Sequence, residues 1–343
     1  MPAATHILVF RFSAMGDVAM TVPVIKAVLS QNPDLEITFV SRPDFEGFFK
    51  DIPRLNYFAA DLNLEYKGFT GVLKLFRKLK KTSSFDAVAD LHDNLRSKIL
   101  RKMFRVSGLP YAYIDKGRDK KKLLTRFPNK ILKPLKLTTE RYADVFRWLG
   151  LQTELQHQLK KNPQPLTKDI IKLTGAKANS WIGIAPFAKH KGKIYPLERT
   201  EEVIRQLNDK NVKLFLFGGS PLEEEICLQW EQKYPAVTSL VRRLTMEQEL
   251  SLISNLDVMM SMDSAGMHLA SLEGVPVVSV WGATHHYAGF LGYGQSENNI
   301  IADDIECRPC SVYGNKPCFR KDYACLYNIE PETIVAKLSE FIN

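Results

Sequence analysis

The sequence predicts an α/β protein made of two parallel-sheet domains. Short apolar runs alternate with helical patterns along the 343 residues, the signature of strands buried under crossover helices. A polar stretch from Gln152 to Thr174, with Asn162-Pro-Gln-Pro165 inside it, interrupts the alternation once and reads as an interdomain linker. The length suits two domains at roughly 100–200 residues each. Hydrophobic residues at 45% and charged residues at 25% supply buried cores under a charged surface, as in ordinary soluble globular chains.

In the first half the strands are expected at Ile7–Phe12, Ile37–Ser41, Tyr57–Ala60, Ala87–Leu91 and Ala112–Ile114, each a short apolar run. Between and after them, helical spacing places helices at Val18–Leu29, Phe45–Asp51, Gly71–Lys80, Ser97–Phe104 and Glu140–Leu149, the last stopped by Gly150. After the linker the pattern restarts. Strands are expected at Trp181–Ala185, Lys213–Phe217, Thr238–Val241, Val258–Met262 and Val277–Trp281. Helices are expected at Glu198–Leu207, Leu222–Tyr234, Met246–Ile253, Ala265–Leu272 and Glu332–Ile342. The resulting boundaries are a first domain 1–160, a linker 161–174, a second domain 175–330 and a C-terminal helix 331–343. Two such halves predict a cleft, with ligands beyond the carboxyl ends of the strands.

Charge and targeting narrow the function classes. Residues 1–150 hold 27 Lys and Arg against 15 Asp and Glu, a surplus of +12, whereas the remainder holds 20 against 23. The clusters KLFRKLKK, KILRKMFR and Lys116–Lys136 in that basic half imply an anionic partner. No recognition-helix, RRM or zinc-finger pattern accompanies them, which weighs against a nucleic-acid partner. The start MPAATHILVFRF lacks the basic n-region of a signal peptide, and no run reaches the roughly 18 apolar residues of a membrane span. A cytoplasmic protein is expected.

Four stretches carry candidate chemistry. In RFSAMGDVAM, residues 11–20, a first strand hands over to a first helix with Ser13, Gly16 and Asp17 between them. The single glycine argues against a dinucleotide fingerprint, which needs G-x-G-x-x-G. Asp17 has two readings: a helix cap, or a general base kept ionised by the helix dipole. In MSMDSAGMHLASLEGVPVVSVWGAT, residues 260–284, a strand ends at Asp263 and small residues open a helix, leaving backbone N–H groups for phosphate oxygens. His268 lies early in that helix, as a ligand-facing or a structural histidine. In IAPFAKHKGKIYP, residues 184–196, Lys189, Lys191 and Lys193 follow a strand end, either facing a diphosphate or exposed in a solvent loop. DLHDNLRS, residues 90–97, groups Asp90, His92, Asp93 and Arg96 as an acceptor site or as a network that orders its own loop. Cys307-x2-Cys310-x7-Cys318-x6-Cys325 fits a structural zinc site or a set of free thiols.

Taken in order, SAMGD with Pro23, DLHDNLRS, the K-x-Y-P of Lys193–Pro196, LFGGSPLEEE and DSAGMHLAS followed by G-V-P-V resemble glycosyltransferase family 9, the ADP-heptose:lipopolysaccharide heptosyltransferases. The resemblance spans nearly the whole chain. It implies a GT-B architecture, two Rossmann-like domains facing across a cleft, with the acceptor on the first domain and the nucleotide-sugar on the second. It implies an inverting transfer of a heptose or related sugar to a lipopolysaccharide inner-core acceptor, with no catalytic metal or other cofactor. Asp17 matches the base, Lys193 the diphosphate-holding lysine, Ser264, Ala265 and Gly266 the phosphate loop, and Asp263 the acid that contacts the sugar. His268 sits at the family's histidine, Glu223 at the ribose-gripping residue and Leu244 beside the adenine. Ser13, His92 and Arg96 fall on the acceptor side. Many members carry Gly where this chain has Ala265, which bears on the backbone of the phosphate loop. The partners implied are an ADP-sugar, an anionic lipid-linked saccharide and, transiently, the inner membrane surface; similar cysteine sets in some members imply structure rather than catalysis. A GT-B transferase with another nucleotide sugar or acceptor, or a non-catalytic binder of anionic lipid or nucleic acid, are the competing readings.

Overall fold

A computed structural model describes residues 4–342; residues 1–3 and 343, the outer ends of the expected first domain and of the C-terminal helix, lie outside the described residues. The chain divides into two units, one of residues 1–116 and 138–156, the other of 117–137 and 157–343.

The first unit holds strands β1 (His6–Phe10), β2 (Glu36–Ser41), β3 (Leu55–Ala59), β4 (Ala87–Asp90) and β5 (Tyr111–Tyr113). All pair in parallel, in the order β3-β2-β1-β4-β5. β1 is central, and Ile7, Leu8, Val9 and Phe10 are wholly buried, as expected of a strand covered on both faces. Helix Gly68–Thr82 docks Val72, Leu75 and Leu79 on one face of the sheet, beside Leu8, Phe10, Val88 and Phe104. The 3-4 spacing of those apolar positions makes one stripe, and each full burial contributes about 1.5–3 kcal/mol.

The second unit repeats the plan with β6 (Ser180–Ala185), β7 (Val212–Leu216), β8 (Val237–Ser239), β9 (Val258–Met262), β10 (Val277–Val280) and the two-residue β11 (Ile300–Ile301). Its order is β11-β10-β9-β6-β7-β8, again parallel throughout. In both sheets the winding reverses beside the first strand, between β1 and β4 and between β6 and β9. Loops leave a gap at such a switch point, beyond the carboxyl ends of the strands, and ligands settle there.

All ten expected strands are present, and helices Met246–Ile253 and Ala265–Leu272 match their expected bounds. The corrections are local. The first helix begins at Met15, breaks at Met20 and resumes over Thr21–Gln31, rather than running from Val18. The Phe45–Asp51 segment is a 3-10 helix, Pro43–Phe49, opened by a proline at its first position. The 161–174 linker contains helix Lys168–Thr174, capped by Thr167.

One segment of the first half also folds with the second unit. Helix Arg118–Leu124 places the Lys121 ammonium 4.0 Å from the Phe290 ring centre. Lys130 Nζ donates to the Glu306 and Arg308 carbonyls at 2.7 and 2.9 Å, and Phe127 lies against Phe319. Most of the Lys116–Lys136 cluster therefore adds its charge to the second unit. Among the described residues no helix is long and apolar enough to cross a membrane.

Candidate functional site

Candidate residues gather at the switch point of each sheet. In the first unit, β1 and β4 run side by side with Phe10 opposite Asp90, and the loops after them are joined. Arg11, buried just beyond β1, donates to the Leu91 carbonyl at 2.8 Å and pairs with Asp17 Oδ2 at 2.7 Å. The same oxygen accepts the Ala14 amide at 3.2 Å. Burial works against the Arg11 charge, but Asp17, Tyr142 and Asp90 outweigh it and hold its pKa above the ordinary value. Asp17 is thus not the N-cap. Ala14 occupies that position without a side-chain oxygen, and the Asp17 carboxylate, three residues on, accepts the cap residue's own N–H.

His92 closes the other side. Its Nδ1 accepts the Phe12 amide at 3.2 Å. Burial, with the charges of Arg11 and Lys116, pulls its pKa down to about 3. The ring is neutral at physiological pH and carries its proton on Nε2. Ser13 is half-buried at the head of the Asp17 loop. Arg96 is the second residue of helix Leu95–Val106; burial and then the neighbouring Arg42 charge lower its pKa.

Within DLHDNLRS, the loop-ordering network is present and the sequence reading missed its centre, Arg101. Asp90 is fully buried, and its Oδ1 accepts the His92 and Asp93 amides at 2.9 and 2.8 Å. Arg101 Nη1 bridges Asp90 Oδ2 at 2.7 Å and Asp93 Oδ1 at 2.9 Å and lies 4.0 Å from the Tyr113 ring centre. Arg101→Ala takes the shared guanidinium from two buried carboxylates, leaving Asp93 with Lys98 Nζ at 3.6 Å, and lowers unfolding free energy by about 3–5 kcal/mol. Denaturant titration checks this, and a loss below about 1 kcal/mol would show that the pairing is energetically idle.

In the second unit, Ala185 stands opposite Ser261 where β6 and β9 end. After β6, residues Lys191–Lys193 form a 3-10 turn that buries Gly192. Of the three lysines, Lys189 is exposed and Lys191 sits 5.0 Å from the Tyr323 ring centre. Lys193 turns inward, its Nζ 3.0 Å from Asp263 Oδ2. Asp263, at the end of β9, is nearly fully buried. Ser264 is the N-cap of helix Ala265–Leu272 with no side-chain cap, and Ser264, Ala265 and Gly266 are half-buried. A Cβ on Gly266 would lie 2.5 Å from Ala185 Cβ, so glycine at 266 permits the close helix–strand approach while Ala265 is accommodated before it. His268 is buried one turn further along.

Glu223 and Leu244 stand in the segments after β7 and β8, at the same end of the sheet. Glu223 Oε2 accepts the Gly219 and Ser220 amides at 2.7 and 3.0 Å, closing a capping box with Ser220. Leu244 is half-buried.

The four C-terminal cysteines line one cavity. Burial pushes the Cys307, Cys310 and Cys325 thiols up, the last to about 12. The Cys310 and Cys318 sulfurs approach the Ala283 carbonyl and the Asp322 carboxylate at 3.9 and 4.0 Å. Among the described residues no three His, Cys, Asp or Glu side chains stand where they could hold a metal ion. Cys307, Cys310, Cys318 and Cys325, the residues of the zinc expectation, share that one cavity.

Comparison with known proteins points one way. The family model described as glycosyltransferase family 9 (heptosyltransferase) matches residues 72–318. Lipopolysaccharide heptosyltransferase 1 of Campylobacter coli is 22% identical over 356 residues, covering 97% of this chain and 98% of its own. Among solved structures, a glycosyl transferase family 9 protein from Veillonella parvula aligns with a TM-score of 0.76 at 16% identity, over 98% of this chain and 97% of its own. The E. coli heptosyltransferase WaaC with ADP aligns at 0.69 and 19% identity, over 98% and 99%.

Proposed function

The chain belongs to glycosyltransferase family 9, and from that premise we propose that it moves a heptose from an ADP-sugar to a lipopolysaccharide inner-core acceptor, inverting the anomeric carbon. The observation that carries this reading is the Lys193–Asp263 pair beside the uncapped start of helix Ala265–Leu272. A cation next to the first amides of a helix suits a diphosphate, and a carboxylate beside them suits the hydroxyls of the attached sugar.

In this reading the donor diphosphate lies across Lys193 and the Ala265 and Gly266 amides, next to the Ser264 hydroxyl; the Ser264 amide itself donates to the Met262 carbonyl at 2.7 Å. Asp263 meets the sugar, with His268 behind it. Glu223 contacts the ribose while keeping its cap, and Leu244 lines the adenine. The acceptor belongs to the first unit, where Ser13, His92 and Arg96 bind it. Asp17 takes the proton from the acceptor hydroxyl. That oxygen forms the new bond to the anomeric carbon as the bond to the diphosphate breaks, through an oxocarbenium-like state. ADP leaves with the electron pair, its charge met by Lys193 and the amides rather than by a metal ion. Removing one such preorganised donor typically costs roughly 100- to 1000-fold in rate. The Lys-rich surfaces suit transient contact with anionic lipid at the cytoplasmic face of the inner membrane, at about 1 kcal/mol per basic residue.

Calorimetric titration with ADP, UDP, GDP and NAD tests the donor assignment. ADP is expected to bind tightest, by about tenfold or more. A preference for UDP or GDP would retain the transferase and overturn the ADP-sugar.

A further inference from the structure

We infer that the cysteine-bearing loop after β11 sets the position of Lys193, with Gly314 as a positioning residue for the nucleoside diphosphate site. The inference rests on the reading of Lys193 as the donor-binding lysine. A lysine stem has four freely rotating carbons, so a diphosphate gains most from an ammonium that is already aimed. Asp263 holds the tip of this side chain, and the loop holds its stem.

The contact at Gly314 leaves no room for a side chain. A Cβ there would lie 2.4 Å from Lys193 Cγ and 2.7 Å from Cδ, well inside van der Waals contact. Gly314 also has φ of +72°, which L side chains rarely adopt. Its carbonyl lies where a Cβ on Gly192 would approach to 3.0 Å, so two glycines face one another across the lysine turn. Ser311 Oγ bonds Asn315 Oδ1 at 3.1 Å across the bend that carries Gly314.

Hydrogen bonds zip the loop to the lysine turn. The Gly192 carbonyl accepts the Ala283 amide at 2.8 Å. The Ala283 carbonyl accepts the Cys310 and Ser311 amides, both at 3.1 Å. Arg308 Nε donates to the neighbouring Gly282 carbonyl at 3.0 Å. The loop after β6, the loop after β10 and the cysteine loop thus form one layer, with Lys193 clamped at its edge. This gives the cysteine loop work at the donor site without any sulfur touching the ligand.

A double-mutant cycle read by ADP titration tests the inference. Gly314→Ala is expected to weaken ADP binding by roughly tenfold, and to weaken it little further in a Lys193→Ala background, because it acts through that side chain. Gly175→Ala is the control. Gly175 has the same φ of +72°, and a Cβ there meets only the flexible Lys213 tip at 3.3 Å, so it should leave ADP affinity unchanged. If Gly314→Ala does not fold, Asn315→Ala opens the bend without adding bulk and is expected to give a smaller loss, again absent when Lys193 is Ala.

Unchanged ADP affinity in Gly314→Ala, or in Asn315→Ala where that variant stands in, would overturn the inference. So would a loss that adds in full to that of Lys193→Ala. If Lys193→Ala alone leaves ADP binding intact, the donor-site reading fails first, a result distinct from a Gly314 effect that is missing while the Lys193 effect is present.

Discussion

Asp17→Asn is expected to lower the rate of sugar transfer by roughly 100- to 10,000-fold, the usual worth of a positioned general base, while ADP affinity stays within twofold of about the wild-type value. The substitution is nearly isosteric. Its amide oxygen can still accept the Ala14 N–H that Oδ2 accepts at 3.2 Å, so the short helix Met15–Ala19 keeps its start. What is lost is the capacity to take a proton. Arg11 also loses the carboxylate 2.7 Å away, although its bond to the Leu91 carbonyl remains. A charged hydrogen bond of that kind is worth about 1.5–3 kcal/mol, so a lower Tm should accompany the rate loss. The two effects separate with Arg11→Lys, which keeps a cation beside Asp17 and should cost stability without abolishing transfer. Transfer within tenfold of about the wild-type rate in Asp17→Asn would remove Asp17 from the chemistry and leave it the structural role alone.

The strands of this protein are readable from sequence because the inner strands of both sheets are buried on both faces. A run such as Ile7-Leu8-Val9-Phe10 then has no polar alternative. The motifs Ser13–Asp17, His92, Lys193 and Asp263–Gly266 were legible because each follows an apolar run that ends as a strand and matches a family stretch, whereas their place at the switch points comes from the strand order. The part of Asp17 in its helix was not. A cap is inferred from the residue type, but Ala14 offers no side-chain oxygen, and the carboxylate three residues later serves the same N–H from inside the helix.

Other misses come from contacts that sequence spacing does not encode. Arg101 is one cation among many in KILRKMFR. Its partners lie 11 and 8 residues back and meet it only once strand, loop and helix fold over one another. Helix Arg118–Leu124 is so rich in lysine that no apolar stripe announces it, since Lys121 is buried by its stem and by Phe290 rather than by its own polarity. Arg11 did leave a trace, as a charge immediately after an apolar run, but nothing in the order of residues says that it turns to Asp17. The three lysines of KHKGK are equivalent on paper. Only the 3-10 turn at Lys191–Lys193 separates the inward one from its neighbours. Cysteine spacing did carry one thing: Cys307, Cys310, Cys318 and Cys325 line a single cavity.

The Lys193–Asp263 pair allows stability and ligand binding to be pulled apart. Lys193→Ala removes the cation expected to face the diphosphate, and a charge-assisted contact of about 1.5–3 kcal/mol corresponds to an ADP affinity lower by roughly 10- to 150-fold. It also strands Asp263, whose side chain is only 5% exposed, and breaking a buried pair from one side destabilises a fold by about 3–5 kcal/mol. Weak binding in that variant alone could therefore reflect a disordered site. Lys193→Ala combined with Asp263→Asn removes both charges and is expected to recover much of the lost Tm, while ADP affinity stays low. Asp263→Asn alone keeps the lysine and releases it from its carboxylate. It should bind ADP at least as well as wild type and still transfer slowly, because the group proposed to face the sugar is gone. If instead ADP affinity returns with Tm in the double variant, Lys193 acts on the fold and not on the diphosphate, and the phosphate contacts reduce to the amides at the start of helix Ala265–Leu272.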